Sequence, residues 1–230
     1  MGQEVCRAVE ADAALELATR LDIGDDPQAL VDAACDVVVD FTVIDAARAL
    51  VPFLAANGIH AVVGTSGFDE ADHESYRALF TESNCILAPN FAIGAVLMTR
   101  FAEIAAPFFD TAEIVEYHHD TKIDSPSGTA THTAERMAAA SNDWAPDPTT
   151  LEVYEGARGG EGPAGIRIHA VRMRGVVANQ EVLLGTTGQT LAIRHETVDR
   201  TSFMPGVVLA CKRIAEFPGV TVGLDAYLGL

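Results

Sequence analysis

A chain of 230 residues, 49% hydrophobic and 21% charged, has the composition of a globular protein and the length of one large or two small domains. Disorder, collagen and coiled coil are excluded as descriptions of the whole. With 33 acidic against 15 basic residues, net charge -18, binding of nucleic acid or an anionic membrane through a basic face is excluded as well, and an anionic ligand has to be captured by a local cluster.

The first half alternates short β-branched runs with helix-patterned stretches at the pace of βαβ units. Helical patterning over 3–13 leads to a strand pattern at 15–21 (LELATRL), then to a helix over 27–34 that opens on Pro27. A strand at 36–41 (DVVVDF), a helix over 43–56 stopped by Gly58, a strand at 60–63, a helix over 69–83 and a strand at 85–88 follow. These make a parallel sheet with helices on its faces. After Pro89 the rhythm changes to a helix over 94–108, a strand at 112–117 and a helix entered through Ser127. Residues 142–163, rich in Pro, Gly and charge, read as a long loop. Strand patterns at 166–171, 181–184 and 190–195 then follow at hairpin-like spacing, so the second half should hold an antiparallel or mixed sheet. A last helix runs from Pro205 to about Ala215, and a short apolar tail closes the chain. The expected fold is α/β: a Rossmann-like parallel sheet domain plus a second α+β domain.

No run of apolar residues is long enough to span a bilayer, and the N-terminus has neither a basic nor an apolar leader region, so the protein reads as cytoplasmic. Cys6, Cys35, Cys85 and Cys211 lie far apart in no C-x-x-C pair, which suggests small buried hydrophobes rather than zinc ligands or disulfides. Only Lys122 and Lys212 among the basic residues are lysine. Such an acidic, lysine-poor surface fits a salt-rich cytosol, where self-repulsion is screened; an ordinary acidic, arginine-biased composition is the alternative.

The densest polar cluster runs from Glu116 to Thr129 and holds His118, His119 and Lys122. An amine kept here, in a chain that has nearly replaced Lys by Arg, points to a compact donor that can titrate. Adjacent histidines on a strand point to opposite faces, which argues for proton donation and anion binding rather than a shared metal ion. Ser127, Gly128 and Thr129 lead into a helix whose first amides suit a carboxylate, and together these groups make a dicarboxylate site with a proton donor. Elsewhere, Gly64-Thr65-Ser66-Gly67 follows one strand and Ala88-Pro89-Asn90-Phe91 the next, the places where parallel sheets hold nucleotides. Asp22, after LELATRL, is placed either to accept hydrogen bonds from a ribose or to serve as a turn residue before Gly24.

Taken together, HHDTKIDSPSGTA, VVVDFT, VVGTSGF, APNFAIGAV, GIRIHAVRMRG and HETVDRTSFMPGV resemble the 4-hydroxy-tetrahydrodipicolinate reductase (dihydrodipicolinate reductase) family over essentially the whole chain. The resemblance implies NADH- or NADPH-dependent reduction of a cyclic dicarboxylate imine in diaminopimelate and lysine biosynthesis, by a cytoplasmic homotetramer assembled through the second domain. It implies His118 as proton donor or acceptor, Lys122 as a second donor, and His119, Ser127, Gly128 and Thr129 at the substrate. Met1, Gly2, Asp22, Gly64, Thr65, Ser66, Ala88, Pro89, Asn90 and Phe91 would meet the cofactor, with no metal. It also places 1–92 with 202–230 in the dinucleotide domain and 93–201 in the substrate and assembly domain.

The start departs from the family pattern. The chain begins at the last Met-Gly of the Gly-rich turn, without the strand before it or two of its three glycines. Either the natural polypeptide is longer, or this is a degenerate relative that acts as an assembly or nucleotide-sensing module. An aspartate or amino-acid dehydrogenase and, more remotely, a metal hydrolase using His118, His119, Asp120 and Asp124 are the competing enzyme classes.

Overall fold

In the computed structural model, which describes residues Met1–Leu230, the chain divides into two compact units, Met1–Ile93 with Arg200–Leu230, and Gly94–Asp199. The first unit opens with α1 (Gly2–Ala11) and α2 (Gln28–Asp32), followed by β1 (Val37–Asp40), α3 (Ile44–Ala56), β2 (His60–Val63), α4 (Glu70–Leu79) and β3 (Cys85–Leu87). The three strands pair in parallel. Ala61, Val62 and Val63 of β2 and all of β3 are buried, as expected of strands covered on both faces. Local chemistry sets the helix ends. After α3 the amides of Ile59 and Gly58 reach back to Leu54 O (3.0 Å) and Ala55 O (3.2 Å), with Gly58 at φ +68°, a paired closure that suits a residue without Cβ. At the start of α4, Asp69 and Asp72 cap one another's backbone amides.

The second unit holds α5 (Ile93–Ala105, whose first residue belongs to the first unit), β4 (Thr111–His118), α6 (Gly128–Ala140), β5 (Gly160–Glu161), β6 (Arg167–Arg172), β7 (Ala178–Thr186) and β8 (Gln189–Thr197). The sheet is mixed, in the order β5-β6-β4-β7-β8. β5 with β6 and β7 with β8 pair antiparallel as sequence neighbours, but β6 and β7, also consecutive in the sequence, are separated by β4, which pairs in parallel with β6 and antiparallel with β7. Ile114 of β4 packs with Ala130, Ala134 and Met137 of α6 and with Val182 and Leu184 of β7 in the core of this unit.

The chain then returns to the first unit as α7 (Met204–Arg213), β9 (Val220–Val222) and α8 (Asp225–Leu228). Strand β9, which the sequence showed only as an apolar tail, pairs in parallel with β3 and gives the order β1-β2-β3-β9. Helix α7 approaches the backbone after β3 so closely that a Cβ on Gly206 would lie 2.1 Å from Phe91 O.

The expected strand at 15–21 is corrected: it forms no ladder. Its side chains alternate as in a strand, with Leu15, Leu17, Thr19 and Leu21 half-buried and Glu16, Ala18 and Arg20 exposed. No neighbouring strand takes up its backbone groups, so the apolar pattern is satisfied by packing alone, and β1 is the edge of the sheet. Of the cysteines, Cys85 and Cys211 are buried but Cys6, in α1, and Cys35, between α2 and β1, only partly so, and all four are free thiols. No helix is long and apolar enough to cross a membrane.

Because nothing at Gly206 can yield without moving the Phe91 backbone, Gly206→Ala is expected to lower the melting temperature by roughly 4–8 °C, the effect of about 2 kcal/mol of overpacking. An unchanged thermal transition would show that α7 and the segment after β3 are not packed as described.

Candidate active site

In the second unit, Ile114, Glu116 and His118 share one face of β4 by the two-residue period of a strand. Glu116 has 0% exposure and four donors: His118 Nδ1 at 2.5 Å from Oε2, Arg172 Nη1 at 2.8 Å from the same oxygen, and Arg172 Nη2 at 2.8 Å and the Ser127 amide at 3.1 Å from Oε1. The guanidinium arrives from β6, where Arg172 is in register with His118, and also donates to Asp124 O at 2.7 Å. Burial pushes the Glu116 carboxyl up, but the hydrogen bonds from His118 and Arg172 outweigh it and hold the group down at about 2. Glu116 is therefore an anion at neutral pH, and an anion can only accept; His118 Nδ1 carries the proton of that contact.

His119 lies just past the end of β4, exposed, with Nδ1 2.7 Å from Thr121 Oγ1. The amide of Lys122 donates to His119 O at 3.2 Å, closing a turn, and its ammonium holds both oxygens of Asp124 at 2.7 and 2.8 Å. That ammonium draws the exposed Asp124 carboxyl below the usual range. The polar groups of Ser127 are spent within the protein: its amide serves Glu116, and its Oγ accepts from Ala130 N at 3.2 Å as the N-cap of α6. Around Gly128 the space is open, with nothing within 4 Å of where a Cβ would stand. His118 and the start of α6 thus converge on one carboxylate, and Arg172 ties that carboxylate to the carbonyl of Asp124, just past the turn that carries His119 and Lys122.

In the first unit a cleft of about 200 Å³ opens at the carboxyl ends of the parallel strands, lined by Met1, Phe41, Gly64, Ala88, Pro89, Asn90, Phe91 and Phe203. Gly64 is the close-approach point: a Cβ there would sit 2.1 Å from the Phe41 ring, which itself meets Phe91 edge-on at 5.7 Å. Thr65 faces inward and donates to the buried Asp40 Oδ2 at 2.6 Å, while Gly64 N donates to Asp40 O at 2.8 Å, so Asp40 pins the turn. Ser66 is exposed, and Gly2 begins α1 outside the cleft lining. Asp22 lies in an exposed turn, accepting from Ile23 N at 2.8 Å and donating its own amide to Asp25 Oδ2 at 2.8 Å.

The residues that sequence reasoning missed are Glu116, Arg172, Asp40, Phe41 and Phe203. Glu116 and His118 stand two apart in a strand pattern, which places them on one face. Arg172 carries no such signal, because its role depends on the β4–β6 register.

The family profile described as "Dihydrodipicolinate reductase, N-terminus" matches residues 1–91, and the one described as "Dihydrodipicolinate reductase, C-terminus" matches residues 94–228. The 4-hydroxy-tetrahydrodipicolinate reductase of Corynebacterium urealyticum is 50% identical over all of this chain and 95% of the relative; that of Nocardia farcinica is 48% identical over the same shares. The dipicolinate-bound dihydrodipicolinate reductase from Paenisporosarcina sp. TG-14 superposes with a TM-score of 0.85 at 35% identity, over 98% of this chain and 94% of that one.

An ordinary glutamate titrates at 4.5, so the Glu116 contacts favour the folded state above that pH, and the gain is lost as pH falls from there to about 2. Arg172→Gln should therefore move the acid-unfolding midpoint, followed by circular dichroism, upward by about one pH unit; an unmoved midpoint would contradict the assigned role of the guanidinium.

Proposed function

The chain belongs to the dihydrodipicolinate reductase family, and we propose that it reduces 4-hydroxy-tetrahydrodipicolinate to tetrahydrodipicolinate, with loss of water, in diaminopimelate and lysine biosynthesis, using His118 and Lys122 as proton donors. The observation that carries this reading is the convergence of His118 and the start of α6 on buried Glu116: a titratable ring and a carboxylate-binding helix terminus are held by one anchor.

The first unit is the dinucleotide domain. Its cleft fits one end of NADH or NADPH, with aromatic edges from Phe41, Phe91 and Phe203 and a close backbone approach at Gly64. At about 200 Å³ it is smaller than the roughly 300–1,000 Å³ of sites that enclose a whole drug-sized ligand; it takes one ring, with Thr65, Ser66 and Ala88 to Phe91 around it, Met1 and Gly2 at the helix start and Asp22 toward the ribose. When bound, the cofactor supplies hydride.

The second unit is the substrate domain. Gly128 and Thr129 hold one substrate carboxylate at the start of α6, with Ser127 fixing that start and His119 beside it. His118 delivers a proton from Nε2 to the negative charge that hydride addition leaves on the conjugated C=C–C=N system of the dehydrated substrate, so that the ring C=N is kept in the product, and Lys122 exchanges its Asp124 contact for the substrate. The active protein is a cytoplasmic homotetramer assembled through this unit.

Steady-state kinetics of the purified protein with reduced nicotinamide cofactor and the dihydrodipicolinate precursor test the proposal. His118→Gln and Lys122→Ala should each lower kcat by about 10²- to 10⁴-fold while leaving cofactor affinity nearly unchanged. Wild-type turnover in both variants would overturn the assignment. Cofactor binding without any turnover in the parent would favour a nucleotide-sensing module.

A further inference from the structure

Nε2 of His118 makes no hydrogen bond within the protein, whereas Nδ1 sits 2.5 Å from Glu116 Oε2. Resting on the proton-donor reading of His118, we infer that Glu116 is a positioning residue for the reaction: it fixes the imidazole as the Nδ1-protonated tautomer, so that Nε2 alone exchanges protons with substrate, and through Ser127 it sets the carboxylate-binding start of α6 in register with that ring.

The geometry supports both halves. A neutral imidazole has one donor and one acceptor nitrogen, and which is which follows from the partner of the other. Here that partner is a carboxylate with no exposed surface, which makes the Nδ1–H tautomer the one that satisfies it. Its second oxygen takes the Ser127 amide at 3.1 Å. Glu116 thus spans the two substrate-facing parts of the unit, and a shift in its position moves both.

Arg172 completes the arrangement. Its fork covers both oxygens of Glu116 at 2.8 Å, so that the carboxylate and guanidinium charges cancel and the ring charges and discharges beside a neutral pair. The charged groups around the ring are Glu116 on its own strand and Arg172 opposite on β6; Asp124 gives that guanidinium its backbone carbonyl and gives its carboxylate to Lys122, and β7 places Ala178 opposite His118. Arg172 lies deep enough that its Nε is buried without a partner, so its charge is matched by Glu116 above all.

Two measurements decide the proposal. In the wild-type protein, ¹⁵N NMR of the His118 ring above its titration should show a protonated Nδ1 and a bare Nε2; the opposite tautomer, or an averaged pair, would overturn it. In a double-mutant cycle, Glu116→Gln should lower kcat by about 10²-fold with cofactor KM unchanged, and adding it to His118→Gln should cost little more, because the two groups act as one. Additive losses would mean that Glu116 acts on structure and not through His118. If Glu116→Gln does not fold, since it strands the Arg172 charge, the wild-type tautomer decides by itself. Full turnover in His118→Gln would sink the proton-donor reading and this inference with it; loss of turnover there with an additive cycle would sink this inference only.

Discussion

A carboxylate cut off from water stays charged only if its surroundings supply the donors that water would have given, and an unmatched ion of this kind costs several kcal/mol. Glu116 meets the demand with an imidazole, a forked guanidinium and a backbone amide. Each donor comes from a different place: the same strand, the neighbouring parallel strand and the N-cap of a helix. Satisfying one buried charge therefore fixes three elements, and these are the elements that carry the site. β4 lies inside its sheet, with β6 on one side and β7 on the other, which helps to keep Glu116 from water.

The first unit uses a different device, close packing where side chains are absent. Gly64 and Gly206 each stand where a single added carbon would meet an aromatic ring or a carbonyl oxygen at 2.1 Å. One keeps the strand-end turn low beneath Phe41, and the other lets α7 lie against Phe91. Asp40 adds a polar tie from β1 to the Thr65 turn. The cleft results from these approaches and from the aromatic residues they leave standing around it.

Much of this was legible from the residues alone. The runs at 37–40, 60–63 and 85–87 form three of the four strands of the parallel sheet, and Ser127 caps the helix it was expected to open. The failure at 15–21 has a clear cause. Alternation reports which side chains prefer cover, and they receive it, but a strand also requires a partner for its backbone, which no local pattern can reveal. The order β6-β4-β7 was hidden for a related reason: spacing suggests hairpins, whereas the parallel pairing of β4 with β6 is long-range. Arg172 became visible only with that register, and Glu116, though it heads the polar cluster, acquires meaning only once its burial is known. At the candidate site, Ser127 gives its amide to Glu116 and its hydroxyl oxygen to the helix cap, contacts that residue type alone does not reveal.

The central claim is that the His118 ring and the start of α6 form one carboxylate-reading, proton-donating unit anchored on a buried anion. A crystal structure of the protein with dipicolinate bound tests it most directly. The account predicts a ligand carboxylate within hydrogen-bonding distance of the Gly128 and Thr129 amides, with Nε2 of His118 toward the ring and Nδ1 still on Glu116. A ligand seated away from α6, or an imidazole turned off Glu116 to meet it, would contradict the account.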